Sequence, residues 1–269
     1  MKTTQPRNDI LTLPMHVLVN KIKNKEISSQ ELLELQLEHI SEYNPSINAV
    51  VTINEEHAHE KAMKADEALQ KGEDWGPLHG LPITMKDAYE VKGITSTGGS
   101  AKWKEHIPKT DAVVADRLRK AGAIVFGKTN VPFLSGDWQT YNEIFGVTNN
   151  PWDMNKTPGG SSGGSAAAVS ACFSSLEVGS DIGGSIRIPA HFCGVYGLKP
   201  SYGLIPKLGH LPPPPGMLSH QNTLSVAGPI ARSANDIQIA LSILAGPSPL
   251  EKKGWKLDLP PARHQDIKN

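Results

Sequence analysis

Apolar residues return along this chain with two different periods, and their alternation predicts a layered α/β architecture. Near the start, Leu13, Val17 and Ile22 fall on one face of a helix spanning 9–24. Ser28 followed by Glu31 is a capping-box pattern: the serine hydroxyl takes an orphan amide and the glutamate reaches back. Leu32, Leu33, Leu35, Leu37 and Ile40 then form the stripe of an amphipathic helix. The β-branched run over 47–53 (INAVVTI) predicts a strand. A polar, surface-type helix follows over 58–71 and stops near Gly72.

The segment 81–86 (LPITMK) reads as a short strand with a lysine at its end. A helix over 111–123, a strand over 124–127, an alanine-rich helix over 163–172 and a strand over 176–178 come next. Ser233 caps a clear amphipathic helix over 233–245. There is no repeat at solenoid period. The tail, 251–269, is polar, proline-broken and ends without a strand or helix to finish a layer. The chain is thus expected to hold one α/β domain over 1–250, interrupted at a linker-like tail.

Composition adds exclusions. Lys and Arg number 27 and so do Asp and Glu, so no basic excess exists to hold nucleic acid or an anionic membrane. The short mixed cluster at 21–25 (KIKNK) reads as a solvated helix end. At 269 residues, 38% hydrophobic and a mean hydropathy of −0.31, the chain is expected to be a soluble globular protein with one large core. Its N-terminal residues contain no apolar run fit for a signal peptide or span, which predicts a cytoplasmic location. Cys172 and Cys193 fit neither a disulfide framework nor a zinc cluster, and read as buried reduced thiols. No cofactor or metal pattern is present.

Candidate chemistry concentrates in 156–190, which carries Gly159-Gly160-Ser161 and Gly183-Gly184-Ser185, the two serines twenty-four positions apart. Glycines beside a serine let amides and a hydroxyl approach a ligand without side-chain obstruction. The first string, GGSSGG, is also compatible with a flexible linker, but it is pinned between Pro158 and an alanine-rich helix. It lacks the lysine of a Walker loop and the spacing of a dinucleotide fingerprint. The second string can form a concave nest of amides in which a serine attacks a carbonyl, or a plain tight turn.

Lys86 bears on that choice. Leu81, Pro82, Ile83 and Met85 surround it with apolar neighbours, and a desolvated lysine loses its charge and becomes a general base. The competing reading is a surface lysine paired with Asp87. Histidine is the usual base, and ten are present, but no G-x-S-x-G elbow accompanies them. His79 and His191 read as packing or backbone-bonding residues, and Glu55 and Glu56 as a solvated helix face.

Five motifs taken together resemble the amidase signature family: GPLHGLPITMKD (76–87), FGVTNNPWD, PGGSSGGSAAA, SDIGGSIRIPA and GVYGLKPSYG (194–203). The resemblance runs over about 9–250. It implies a mixed β-sheet flanked by helices on both faces and a Ser-cisSer-Lys triad. By position, Ser185 resembles the nucleophile, Ser161 the bridging serine in a cis peptide after Gly160, and Lys86 the base. The amides of Ile182, Gly183, Gly184 and Ser185 resemble an oxyanion hole, while Ser162, Asp181 and Arg187 match positions that hold the turns. The reaction implied is hydrolysis of a small-molecule carboxylic amide through an acyl-enzyme, without a cofactor. Members of that family are longer, so the resemblance implies a fold incomplete at its C-terminal end. The expected partners are accordingly the missing C-terminal half or a second copy of the chain. Two alternatives are the amidase subunit of a glutamine-dependent tRNA amidotransferase and an inactive fragment or pseudoenzyme. The loop at 209–217 (GHLPPPPGM) looks more like that of a free-standing amidase.

Overall fold

In the computed structural model, which describes residues 8–215 and 224–260, the first apolar stripe divides at Pro14 into α1 (Asn8–Leu11) and α2 (Met15–Lys23). Pro14 has ψ 150°, so one continuous helix over 9–24 is not formed. Pro14 offers α2 no side-chain cap. The buried carboxylate of Asp236 supplies it instead, accepting from the amides of Met15 (2.9 Å) and His16 (3.0 Å).

The capping box forms as its pattern predicts, with Ser28 ahead of α3 (Ser29–Ile47). This helix runs past Pro45 and closes on Asn48 in the left-handed conformation, so β1 (Val50–Ile53) begins later than the β-branched run suggests. The carboxamide oxygen of Asn44 accepts from the amides of Ala49 and Val50, fixing that corner. α4 (Glu55–Gln70) keeps Glu55 and Glu56 exposed, yet it also buries a stripe of Ala58, Ala62, Ala65 and Ala68. Next come β2 (Pro82–Lys86), α5 (Val113–Lys120) and β3 (Ile124–Thr129), a βαβ unit with β2 and β3 parallel. β1 pairs antiparallel with β3, giving the mixed order β1-β3-β2.

A small hairpin of β4 (Tyr141–Asn142) and β5 (Gly146–Val147) leads to α6 (Gly163–Ser170), β6 (Leu176–Asp181), α7 (Arg187–Cys193) and β7 (Tyr196–Gly197). β8 (Val226–Ala231) and α8 (Ala234–Leu244) complete the elements, with β8 between β6 and β7 and antiparallel to both. The sheet hydrogen bonds thus fall into two three-stranded groups. Side chains bridge the join: the Thr84 amide on β2 donates to Ser174 Oγ (3.1 Å), and the Thr84 hydroxyl donates to Glu177 on β6 (2.5 Å).

Strand alternation sorts the helices into layers. Ile83, Met85 and Val125 face α2, α5 and α8 through Leu18, Leu118 and Leu244. Ile124, Phe126 and Val50 face α3, α4 and α6 through Leu33, Ala62 and Ala166. Helices therefore cover both faces, the mixed α/β class expected. The odd-numbered positions of β2 belong to the first layer, which turns Thr84 and Lys86 toward the second, where α6 begins. Cys193 is buried, and burial pushes its thiol up to about 12; Cys172 is half-buried, and both are free. Residues 251–260 form a turn and an irregular stretch; 261–269, and Met217 of the proline loop, lie outside the described residues. Among the described residues, no helix is long and apolar enough to cross a membrane.

Candidate active site

Lys86 closes β2 with its side chain fully buried. Its Nζ lies within hydrogen-bond distance of three hydroxyls: Ser161 at 2.8 Å, Ser162 at 3.0 Å and Ser180 at 3.0 Å. The surface pairing with Asp87 does not occur. Asp87 turns the other way, accepting from Thr97 and from the buried Lys128 at 3.3 Å. Burial drives Lys86 well below the usual lysine range, and the nearby Lys207 ammonium adds to the push; Asp181 and Glu177 oppose it without prevailing.

The two glycine turns meet above this amine. The Gly160–Ser161 peptide is cis, as the resemblance implies. Ser162 precedes α6 but does not cap it; its hydroxyl instead accepts from the Ser180 amide (3.3 Å) and donates to the Ser180 carbonyl (3.4 Å). The helix behind is built of small buried residues, and a Cβ on Gly164 would stand 2.4 Å from the Asn130 carbonyl oxygen. Only glycine permits that approach. The turns are tied by the Ser162 amide donating to the Ser185 carbonyl at 3.1 Å.

Ser161 and Ser185 line one cavity of about 140 Å³, together with Ser180, Ile182, Lys207 and His210. Both serines are buried, and among the described residues no hydrogen bond joins the Ser185 hydroxyl to Ser161. The structure therefore bonds Lys86 directly to Ser161 and Ser162, and brings Ser185 to the same chamber through the backbone.

Asp181, at the end of β6, organises the second turn. It accepts from the amides of Gly184 (2.8 Å), Ile186 (3.1 Å) and Arg187 (3.3 Å), and from the Arg187 guanidinium at 2.9 and 3.0 Å. Burial alone would raise its carboxyl; Arg187 and these amides outweigh that and bring it to about 2. Gly184 adopts φ 111°, a conformation that side chains resist. Here the expected donor set changes: the Gly184 amide is already given to Asp181. The amides of Ile182, Gly183 and Ser185 make no bond among the described residues, so three donors rather than four are left over by the turn.

Sequence reasoning passes over the outer part of the site. His210 is buried, with Nε2 2.9 Å from Ser180 Oγ and Nδ1 3.4 Å from the Pro212 carbonyl oxygen. A carbonyl only accepts, so Nδ1 carries the hydrogen and Nε2 accepts from Ser180. Burial first, then the charges of Lys207 and Lys86, hold the imidazole well below its ordinary range. His210 stacks edge-on against Tyr89, whose hydroxyl donates to the Gly179 carbonyl at 2.9 Å. The proline run after residue 210 is a detectable signal, but nothing in its composition joins it to Ser180. Of the histidines considered from sequence, His79 bonds backbone as read, accepting from the Trp75 amide and donating to the Ala65 carbonyl, whereas His191 is exposed on α7.

The chain as a whole matches known proteins. The family model described as Amidase covers residues 31–266, and the chain belongs to this amidase family. Over 252 residues it is 39% identical to the A-subunit of the glutamyl-tRNA(Gln) amidotransferase from Caldanaerobacter subterraneus subsp. tengcongensis, covering 94% of this chain and 50% of that relative. Among solved structures it is similar to 6-aminohexanoate cyclic dimer hydrolase in complex with substrate: TM-score 0.78, 34% identity, 89% of this chain and 48% of that one. It is likewise similar to a fatty acid amide hydrolase: TM-score 0.82, 31% identity, 88% of this chain and 42% of that one. The chain spans about half the length of the curated relatives it matches.

Proposed function

We propose that the site hydrolyses carboxylic amides, with Lys86 as base, Ser161 as proton carrier and Ser185 as nucleophile. One observation carries the reading: once Lys86 is neutral, the hydrogen bonds around it leave a single consistent assignment. A neutral amine has two hydrogens to give and one lone pair to receive with. Ser162 spends its hydrogen on the Ser180 carbonyl, and Ser180 spends its own on His210. Each must then accept from Lys86, and the lone pair is left for Ser161, the nearest of the three at 2.8 Å.

The steps follow. Lys86 takes the Ser161 proton as Ser161 takes that of Ser185, and the freed Ser185 oxygen attacks the amide carbon. The free amides of Ile182, Gly183 and Ser185 receive the oxygen that becomes negative. When the C–N bond breaks, the proton returns through Ser161 to the leaving amine, and an ester on Ser185 remains. Water repeats the relay and releases the acid. Asp181 and Arg187 hold the turn throughout.

Labelling with a fluorophosphonate probe tests this assignment. Loss of label in Ser185→Ala with slowed labelling in Ser161→Ala supports it; undiminished label in Ser185→Ala refutes it. A second reading rests on the 39% identity to one component of a tRNA-dependent amidotransferase: the chain releases ammonia from glutamine and works with partner subunits. Glutamine as the only good substrate in a panel of aryl and aliphatic amides would select that reading.

A further inference from the structure

Lys207 stands on the wall of the cavity that holds Ser161 and Ser185. Its Nζ donates to the Ser225 hydroxyl, which fixes the amine in place. Among the described residues no carboxylate lies within ion-pair distance of it. The other titratable groups it meets are Lys86 and His210, and both feel it as a repelling charge. A half-buried cation without an anion is costly, because the ion has lost water and gained no counter-charge. Burial lowers its ammonium to about 8, which still leaves it mostly charged at neutral pH.

We propose that Lys207 is an anion-reading residue of the substrate cavity, selecting amides that carry a carboxylate a short distance from the scissile bond. The inference rests on the hydrolase reading for the position of the reacting carbonyl. The cavity, at about 140 Å³, is smaller than the ~300–1,000 Å³ of pockets that hold drug-sized ligands. A short spacer between amide and carboxylate therefore suits it. The carboxylate would complete the missing ion pair beside a half-buried ammonium, where a charge-assisted bond is stronger than a neutral one.

Succinamate and butyramide make the test, since they are close in size and differ in the terminal carboxylate. The protein is expected to favour succinamate by at least about tenfold in kcat/KM. Lys207→Met should bring the ratio near one, and Lys207→Arg should retain it. A ratio near one in the unaltered protein overturns the proposal. So does a preference that survives Lys207→Met, or an equal loss for both amides with only a shifted pH profile. Calorimetric binding of both ligands to Ser185→Ala separates this question from turnover. If neither amide is cleaved but succinamate binds about tenfold tighter in a Lys207-dependent way, the hydrolase reading fails and the anion site stands. Cleavage of both amides without charge preference does the reverse, and absence of any binding preference overturns the anion site.

Discussion

Lys86 and Lys128 sit on neighbouring parallel strands, β2 and β3, and both side chains are fully buried. Their partners differ in kind. Lys128 faces the Asp87 carboxylate at 3.3 Å, the Tyr89 carbonyl at 2.6 Å and the Ser96 hydroxyl at 2.9 Å, all acceptors suited to an ammonium. Lys86 faces three hydroxyls and no acid in contact. Burial lowers both amines, but Asp87 restrains the fall at Lys128 while only more distant acids oppose it at Lys86. Equal burial therefore yields a structural cation at one position and, in the proposed relay, a base at the other. The anion, or its absence, decides.

The sharpest way to break this comparison is to remove each lysine. Lys86→Met should cut amide hydrolysis by ~10²–10⁴, the usual worth of a general base, while thermal or urea unfolding shows no loss of stability. Lys128→Met should do the opposite, costing ~3–5 kcal/mol in urea unfolding because Asp87 is left buried and unpaired; adding Asp87→Asn should recover part of it.

A third change converts one environment into the other. Ser180→Asp places a carboxylate beside Lys86, stabilises its ammonium and moves the acid limb of the kcat/KM profile to higher pH. An unmoved limb would mean that Lys86 is not the titrating base. Stability carries the same sign: a lysine with a lowered folded pKa binds fewer protons folded than unfolded, so stability rises with pH toward the unfolded lysine value. Lys86→Met should flatten that slope.

The smallest effect belongs to Asp181→Asn. The folded carboxyl lies near 2 against 3.8 unperturbed, so its contribution is present above pH 4 and lost as pH falls through 2. Because Arg187 is half-exposed and screened, the substitution should cost about 1–2 kcal/mol at neutral pH, read from urea midpoints.

Much of this was legible in the chain itself. Period-two alternation in LPITMK places Lys86 opposite Ile83 and Met85, and glycine-serine strings mark both turns. IVFGKT has a similar alternation, yet Lys128 escapes notice because its counter-charge lies 41 positions away in a loop. Ser180, His210 and Lys207 escape for the same reason: the bridge between Tyr89 and His210 is tertiary, and no local period encodes it. The single helix expected over 9–24 overlooked the backbone constraint of Pro14, and the donor set overlooked how a carboxylate at the end of β6 claims one amide of its own turn.

The small-residue packing of α6 has a consequence for how such a site diversifies. Gly163, Gly164, Ser165 and Ala166–Ala168 are buried, and a Cβ added at Gly163 or Gly164 would meet neighbouring atoms at 2.2 and 2.4 Å, so this helix behind the serine turn tolerates little change of side-chain size. It behaves as a fixed die that sets the chemistry. In the proposed hydrolase, new substrates would be accommodated by the cavity lining at Leu134, Ser135, Lys207 and Ser225, where side chains differing in length and charge can be exchanged while the serines keep their positions.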